Sequence, residues 1–287
     1  MPLSPETVSR VLKHQAGKVL PRGELFLYRD FLDGYFGQYQ GNYLKQLAAA
    51  AERLDLSLVG LELGKKTSPL VIDQKSLQIL ETVYTVGYLD GPVSGLIEAV
   101  GFMKAMVSTK NNPSLFSRIV ADWVNQTREL VEHAKISGLQ AIALCDDMAG
   151  NQGLFFSPDY FQEAVWPVYK AMIEIIKEKG LAVFFHSDGD IRKIIPLLIE
   201  TGFDCLHPVD AQAGMDLYEL KRDFGEKISF MGHVDLLSWT REQVQQNIVL
   251  AEKEFSLGGL ILGSAGGLSL KTVNENVRVL YPGLADV

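Results

Sequence analysis

Eight short, almost unbroken apolar runs recur along this 287-residue chain, each followed by a stretch with helical spacing, and this rhythm restricts the fold more than any other feature. The runs cover 24–28, 57–63, 83–89, 139–146, 181–187, 205–209, 228–233 and 260–264. Strands wet on one face alternate apolar with polar residues, whereas unbroken runs are expected of parallel strands covered on both faces. Eight strand-helix units in a chain of this length is the arithmetic of an α/β fold, the closed (β/α)8 TIM barrel, whose site lies at the C-terminal ends of its strands. An open doubly wound sheet is the alternative. It lacks a glycine-rich phosphate loop after an early strand: Gly263-Ser264-Ala265-Gly266-Gly267 comes at the last strand, with the wrong spacing. No linker or low-complexity stretch divides the chain. The expected organisation is therefore one barrel domain over residues 1–287, with residues 1–20 as an N-terminal helical extension.

Helix boundaries are legible in the same way. Ser4-Pro5, Asn112-Pro113 and Ser157-Pro158 each put a capping side chain before a proline that has no amide hydrogen to lose in a first turn. Thr240 with Gln243 fits a capping box, and Gly138 and Gly180 are placed to end helices ahead of the fourth and fifth runs. The net charge of −8 offers no basic face for nucleic acid or for an anionic membrane surface. No apolar stretch approaches the roughly 18–20 residues of a membrane span. The first residues lack the basic and apolar regions of a secretory signal. Cys145 and Cys205 lie inside apolar runs and are expected to be reduced, buried thiols of a cytoplasmic protein.

If the barrel is right, polar residues at strand C-termini are the candidates for chemistry: Glu24, Glu62, Asp90, Asp146, Asp147, His186, Asp188, His207, Asp210, His233, Asp235 and Ser264. Asp146 and Asp147 are adjacent, so only one can face the mouth. His186-Ser187-Asp188 and His233-Val234-Asp235 each set an imidazole and a carboxylate two residues apart on odd-numbered strands, where they could converge. Two imidazoles and a carboxylate suit zinc or iron with an open position. The alternative is that the histidines are satisfied mouth residues and the aspartates cap the next helices. His207, before Pro208, reads more simply as structural, and His14 and His133 fall on helical stretches. Tyr35-Phe36 and Phe155-Phe156 could wall a planar ligand or simply pack.

Several of these segments together resemble the uroporphyrinogen decarboxylase superfamily, which includes zinc-dependent, corrinoid-linked methyltransferases. They are Asp90-Gly91-Pro92, Cys145-Asp146-Asp147 followed by Ser157-Pro158-Asp159-Tyr160-Phe161, Phe185-His186-Ser187-Asp188-Gly189, Met231-Gly232-His233-Val234-Asp235, and Gly263-Ser264 through Glu275-Asn276-Val277. The resemblance runs from about Leu20 onward and implies the family's barrel. The decarboxylases' arginine-rich loop is echoed by His14-Gln15-Ala16-Gly17-Lys18-Val19-Leu20-Pro21, without its arginines. Their catalytic aspartate, tyrosine and histidine fall near Glu62, Glu98 and Gly266. An octacarboxylate substrate also needs a cationic mouth, whereas these strand ends are acidic.

The methyltransferases' zinc ligands, a His-x-Cys and a later cysteine, fall at His186, Asp188 and near Gly266. The expectation is a methyltransferase moving a methyl group to or from a corrinoid protein. Zinc would lie on His186 and Asp188, with His233 replacing the lost third ligand. Catalytic roles go to Glu24, Asp146, His186 and Asp235, and substrate contacts to Asp90, Asp188, His207, His233 and Ser264. The partners implied are a small-molecule methyl donor or acceptor and the corrinoid protein. A tetrapyrrole decarboxylase of porphyrin biosynthesis and a non-catalytic corrinoid or tetrapyrrole binder are the alternatives.

Overall fold

A computed structural model describes residues 2–15, 19–37, 43–65, 68–69 and 74–284. Eight strands form one parallel sheet in chain order: β1 (Gly23–Glu24), β2 (Leu58–Glu62), β3 (Tyr84–Asp90), β4 (Ala141–Cys145), β5 (Ala182–His186), β6 (Cys205–His207), β7 (Ser229–Val234) and β8 (Leu260–Ser264). Every one falls within, or within a residue of, an apolar run of the sequence. The sheet curls into a nearly closed (β/α)8 barrel. The amide of Leu262 donates to the Pro21 carbonyl at 2.9 Å, and an Arg22–Leu262 bridge joins the β1 side to β8. Two glycines permit this closure. A Cβ on Gly60 would lie 1.9 Å from the Leu25 carbonyl oxygen, and one on Gly263 would lie 2.1 Å from that of Gly23. Only a residue without a side chain lets β1 come so close to both neighbours.

Alternation along the strands separates two apolar clusters. Val59, Leu61, Ile142, Leu144, Val183, Phe185 and Phe230 point outward and pack under the helices. Leu58, Tyr84, Val86, Ala141, Ala143, Phe184, Met231 and Ile261 fill the barrel interior. The helix Pro5–Leu12 contributes Val8, Val11 and Leu12 to this inner cluster. It is held at the N-terminal ends of the strands: the Leu3 amide donates to Ser57 Oγ, Ser229 Oγ donates to the Leu12 carbonyl, and the Gly259 amide donates to the Val11 carbonyl. The helix of the expected N-terminal extension is thus the floor of the barrel, while residues 1 and 16–18 of that extension lie outside the described ones.

The caps follow their sequence signals with one exception. Ser4 accepts from Thr7 and Ser157 from Tyr160, the Thr240–Gln243 capping box is complete, and Gly138 ends its helix at φ 98°. Asn112 does not cap a following helix. It closes the preceding one, because Pro113 already has helical dihedrals and the next helix starts only at Ser114. The segment Pro158–Glu178 runs on as one helix through a π turn at Phe161–Val165, just before Pro167 removes an amide from the ladder. Among the described residues, no helix is long and apolar enough to cross a membrane.

Candidate functional site

The C-terminal ends of the strands surround a cavity of about 260 Å³ lined by Phe26, Tyr28, Tyr88, Asp90, Ser94, Cys145, Asp147, His186, Asp188 and Gly266. A second, of about 200 Å³, adjoins it and shares Asp188 and Gly266; Asp210, Gln212, Asp235, Ser264 and Thr272 are on its wall. Among the described residues, no lysine or arginine lines either. A larger concavity of about 730 Å³ runs along the outer wall between the helices Arg241–Glu254 and Glu275–Leu280. It holds none of the candidate residues, so the smaller mouth cavities are the better site despite their size.

At the centre of the mouth, Asp147, His186 and Asp188 bring one ligand atom each to within 4.8 Å of one another. His186 Nε2 lies 3.6 Å from Asp147 Oδ1, beyond hydrogen-bond range. Tetrahedral zinc with bonds of about 2.0–2.2 Å holds its ligands roughly 3.4 Å apart. An imidazole and two carboxylates facing a cavity therefore fit a divalent ion with one position left open. The chain braces the set: the Asp188 amide donates to Asp147 Oδ1 at 3.0 Å, and the Nδ1 atoms of His186 and His207 are 2.8 Å apart. Phe26 meets both histidine rings edge-on, at 4.8 and 5.7 Å between centroids. Burial lowers the His186 pKa to about 4, which keeps the imidazole neutral and able to donate a lone pair at neutral pH. Desolvation, with the like charges of Asp147 and Asp210, raises Asp188 to about 6.

Asp146 faces away from this cluster. Its carboxylate accepts from the Val93 amide at 2.9 Å, the Ser94 amide and the Tyr169 hydroxyl at 2.5 Å, and so caps the helix Pro92–Val100 from another strand. Gly91 makes the room, since a Cβ there would lie 2.5 Å from the carboxyl group. Asp147 thus takes the place in the mouth that the sequence reading allotted to Asp146. The two follow one another directly after the end of β4, where the extended chain still sends adjacent side chains to opposite sides.

His233 likewise does not reach the cluster. Gly232 and His233 both have positive φ, 94° and 89°, which breaks the pleat and turns the imidazole outward between Tyr218 and Trp239. Burial lowers its pKa to about 4, against the opposing pull of Asn247 and Asp216.

The remaining candidates divide between the cavities. Asp90 is on the wall of the first. Asp235 borders the second while its Oδ1 accepts the Leu237 and Ser238 amides and its Oδ2 accepts from Gln212. Ser264 borders it too, and donates Oγ–H to Glu24 at 2.8 Å. Glu24 is fully buried and also accepts from the Ser264 amide and the Tyr281 hydroxyl. His207 lies behind His186, fully buried.

Cys145 is not the core thiol expected of it. As the last residue of β4 it lines the mouth, although burial and the surrounding carboxylates raise its pKa and keep the thiol protonated. The aromatic wall is Phe26, Tyr28 and Tyr88. Phe155 packs on Phe102, and Tyr35 and Phe36 pack on Phe31. These three rings were missed because Phe26 and Tyr28 follow a very short strand and Tyr88 reads as ordinary strand interior.

Comparison with known proteins agrees with this architecture. The chain is 24% identical over 142 residues to the methylated-thiol–coenzyme M methyltransferase of Methanosarcina mazei, a stretch covering 49% of this chain and only 36% of that protein. The solved structure of a methyltransferase from Methanosarcina mazei superposes with a TM-score of 0.73 at 16% identity, covering 99% of both chains. A B12-independent methionine synthase from Shewanella sp. W3-18-1 superposes with a TM-score of 0.57 at 13% identity, covering 93% of this chain and 97% of that one. These structural likenesses concern the fold. The uroporphyrinogen decarboxylase (URO-D) family profile matches residues 71–282, nearly three quarters of the sequence, and the chain therefore belongs to the uroporphyrinogen decarboxylase family.

Proposed function

We propose that this protein is a methyltransferase that moves a methyl group between a small molecule and a corrinoid protein docked over the barrel mouth, with a zinc ion held by Asp147, His186 and Asp188. The observation that carries the reading is the convergence of those three side chains on one cavity at the site-bearing end of this barrel. The sequence relative, a methyltransferase, supports the reaction class.

When bound, the ion would supply Lewis acidity to the heteroatom that gains or loses the methyl group. The neutral His186 ring and the two carboxylates would hold it. Phe26, Tyr28 and Tyr88 offer an apolar wall to the body of the methyl compound. In the direction that methylates a thiol or phenol, the heteroatom loses its proton to Asp90, on the same cavity outside the cluster, and takes the methyl group, whose bond to the partner's corrinoid would break with both electrons left on the corrinoid. Glu24 and Asp146 act indirectly in this reading. Glu24 orients the Ser264 hydroxyl at the second cavity, and Asp146 fixes the helix that follows Asp90.

Charge narrows the substrate. Among the described residues, carboxylates line both cavities and no basic side chain does, so an uncharged or cationic methyl compound suits these walls better than a polycarboxylate tetrapyrrole. Purified protein should carry about one zinc per chain and exchange methyl groups with methylcobalamin as a corrinoid surrogate, and the His186→Ala variant should lose both. Metal-free wild type that transfers methyl groups at the full rate, or conversion of uroporphyrinogen to coproporphyrinogen, would overturn the proposal.

A further inference from the structure

His207 has no contact with the cavity, yet it is more than packing behind the site. Its Nδ1 lies 2.8 Å from Nδ1 of His186, both rings are buried, and its own Nε2 has no partner among the described residues. Two nitrogens at that separation share one proton. If His207 donates, His186 is protonated at Nε2, and that N–H points at Asp147 Oδ1 from 3.6 Å, too far for a hydrogen bond. If His186 donates, its Nε2 lone pair faces Asp147 and Asp188, and the enclosed His207 nitrogen carries the remaining proton. Only the second arrangement makes His186 a ligand. An imidazole that binds a metal through one nitrogen characteristically gives the other N–H to a fixed acceptor, which sets both tautomer and ring direction.

We propose that His207 is a positioning residue: it accepts the His186 Nδ1–H and thereby holds the His186 Nε2 lone pair on the space between Asp147 and Asp188. The inference rests on the metal reading of the mouth. Its signature is a fully buried imidazole set against His186 and edge-on to Phe26. It also explains why the two imidazoles lie on adjacent strands in register, His207 beside His186 across the β5–β6 ladder.

The test is cobalt(II) binding, followed by the visible absorption of the bound ion, in the wild type and in two variants. His207→Leu removes the ring acceptor, leaving only the main chain of residue 207 beside His186, and should weaken cobalt binding about 10- to 100-fold. His207→Asn returns an oxygen near the Nδ1 position and should restore affinity to within about threefold of wild type. Equal thermal stability of the metal-free variants would separate positioning from a folding effect. A second measurement does not depend on a folded leucine variant: the imidazole ¹⁵N spectrum of zinc-loaded wild type, with His186 assigned by its absence in His186→Ala. It should show His186 bound through Nε2 and protonated at Nδ1. Wild-type affinity in His207→Leu, His186 bound through Nδ1, or His207 itself appearing as a ligand each overturns the inference while leaving the metal site standing. Wild type that takes up neither ion removes the metal reading and this inference together.

Discussion

Asp146 and Asp147 show how one residue's position decides between scaffold and chemistry. Asp146→Ala strips the acceptor from one buried and one half-buried amide and a buried tyrosine hydroxyl and is expected to cost about 2–4 kcal/mol in urea unfolding. Asp147→Ala should stay within about 0.5 kcal/mol of wild type while zinc affinity drops at least tenfold. The opposite ranking would take Asp147 out of the site. A clue to the assignment was present in the sequence: the helix after Asp90 starts on Gly91-Pro92, which provides no capping side chain, so its first amides needed a carboxylate from elsewhere.

Glu24 gives the residue scale its pH signature. Burial raises its pKa from an ordinary 4.5 to about 7, against the pull of three donors. The folded form therefore keeps a proton that the unfolded chain releases, and the stability this confers is complete below pH 4.5 and lost as pH rises toward 7. That loss amounts to about 3 kcal/mol. Buried His186 and His233, both lowered to about 4, act in the opposite sense, losing stability as pH falls from 6.5 toward 4. The comparison that isolates Glu24 is wild type against Glu24→Gln, unfolded in urea from pH 4.5 to 7.5. The wild type should lose about 3 kcal/mol relative to the variant across that range; parallel curves would show that Glu24 does not change protonation on unfolding.

At the scale of elements, local signals and tertiary demands can be told apart. The Thr240–Gln243 box is local, and Thr240→Ala should cost about 1 kcal/mol without touching the mouth. The helix Pro5–Leu12 is stabilised from outside itself, by burial of its apolar face in the barrel floor. Val11→Ala should accordingly cost about 2 kcal/mol and leave zinc uptake unchanged, because the floor and the site lie at opposite ends of the strands. Weaker zinc binding in that variant would mean that the floor and the mouth are coupled. Strand β7 is the element whose course the sequence concealed: its apolar run predicts regular alternation, but the positive φ of Gly232 and His233 carries the histidine to the outer layer.

For the whole molecule, a site assembled from two separate strand ends should stabilise the fold when filled, since the unfolded chain has no such site. At a free zinc concentration near 100 times Kd the gain is about 2.7 kcal/mol, enough to raise Tm by roughly 5 °C in a chain of this size. His186→Ala should show no such rise, and His233→Asn should show the wild-type one. A zinc response lost in the His233 variant instead would return that residue to the metal site.

The strand count, the parallel sheet, most helix ends and the shortlist of polar strand termini were all determined by the sequence, because apolar runs, capping residues and proline or glycine act over a few neighbouring positions. Which of two adjacent aspartates faces the mouth, that His233 turns outward, that His207 meets His186, and that an N-terminal helix closes the barrel were decided only by the tertiary structure. Each depends on backbone twist and on contacts between residues 20 to more than 200 positions apart, which no local pattern encodes.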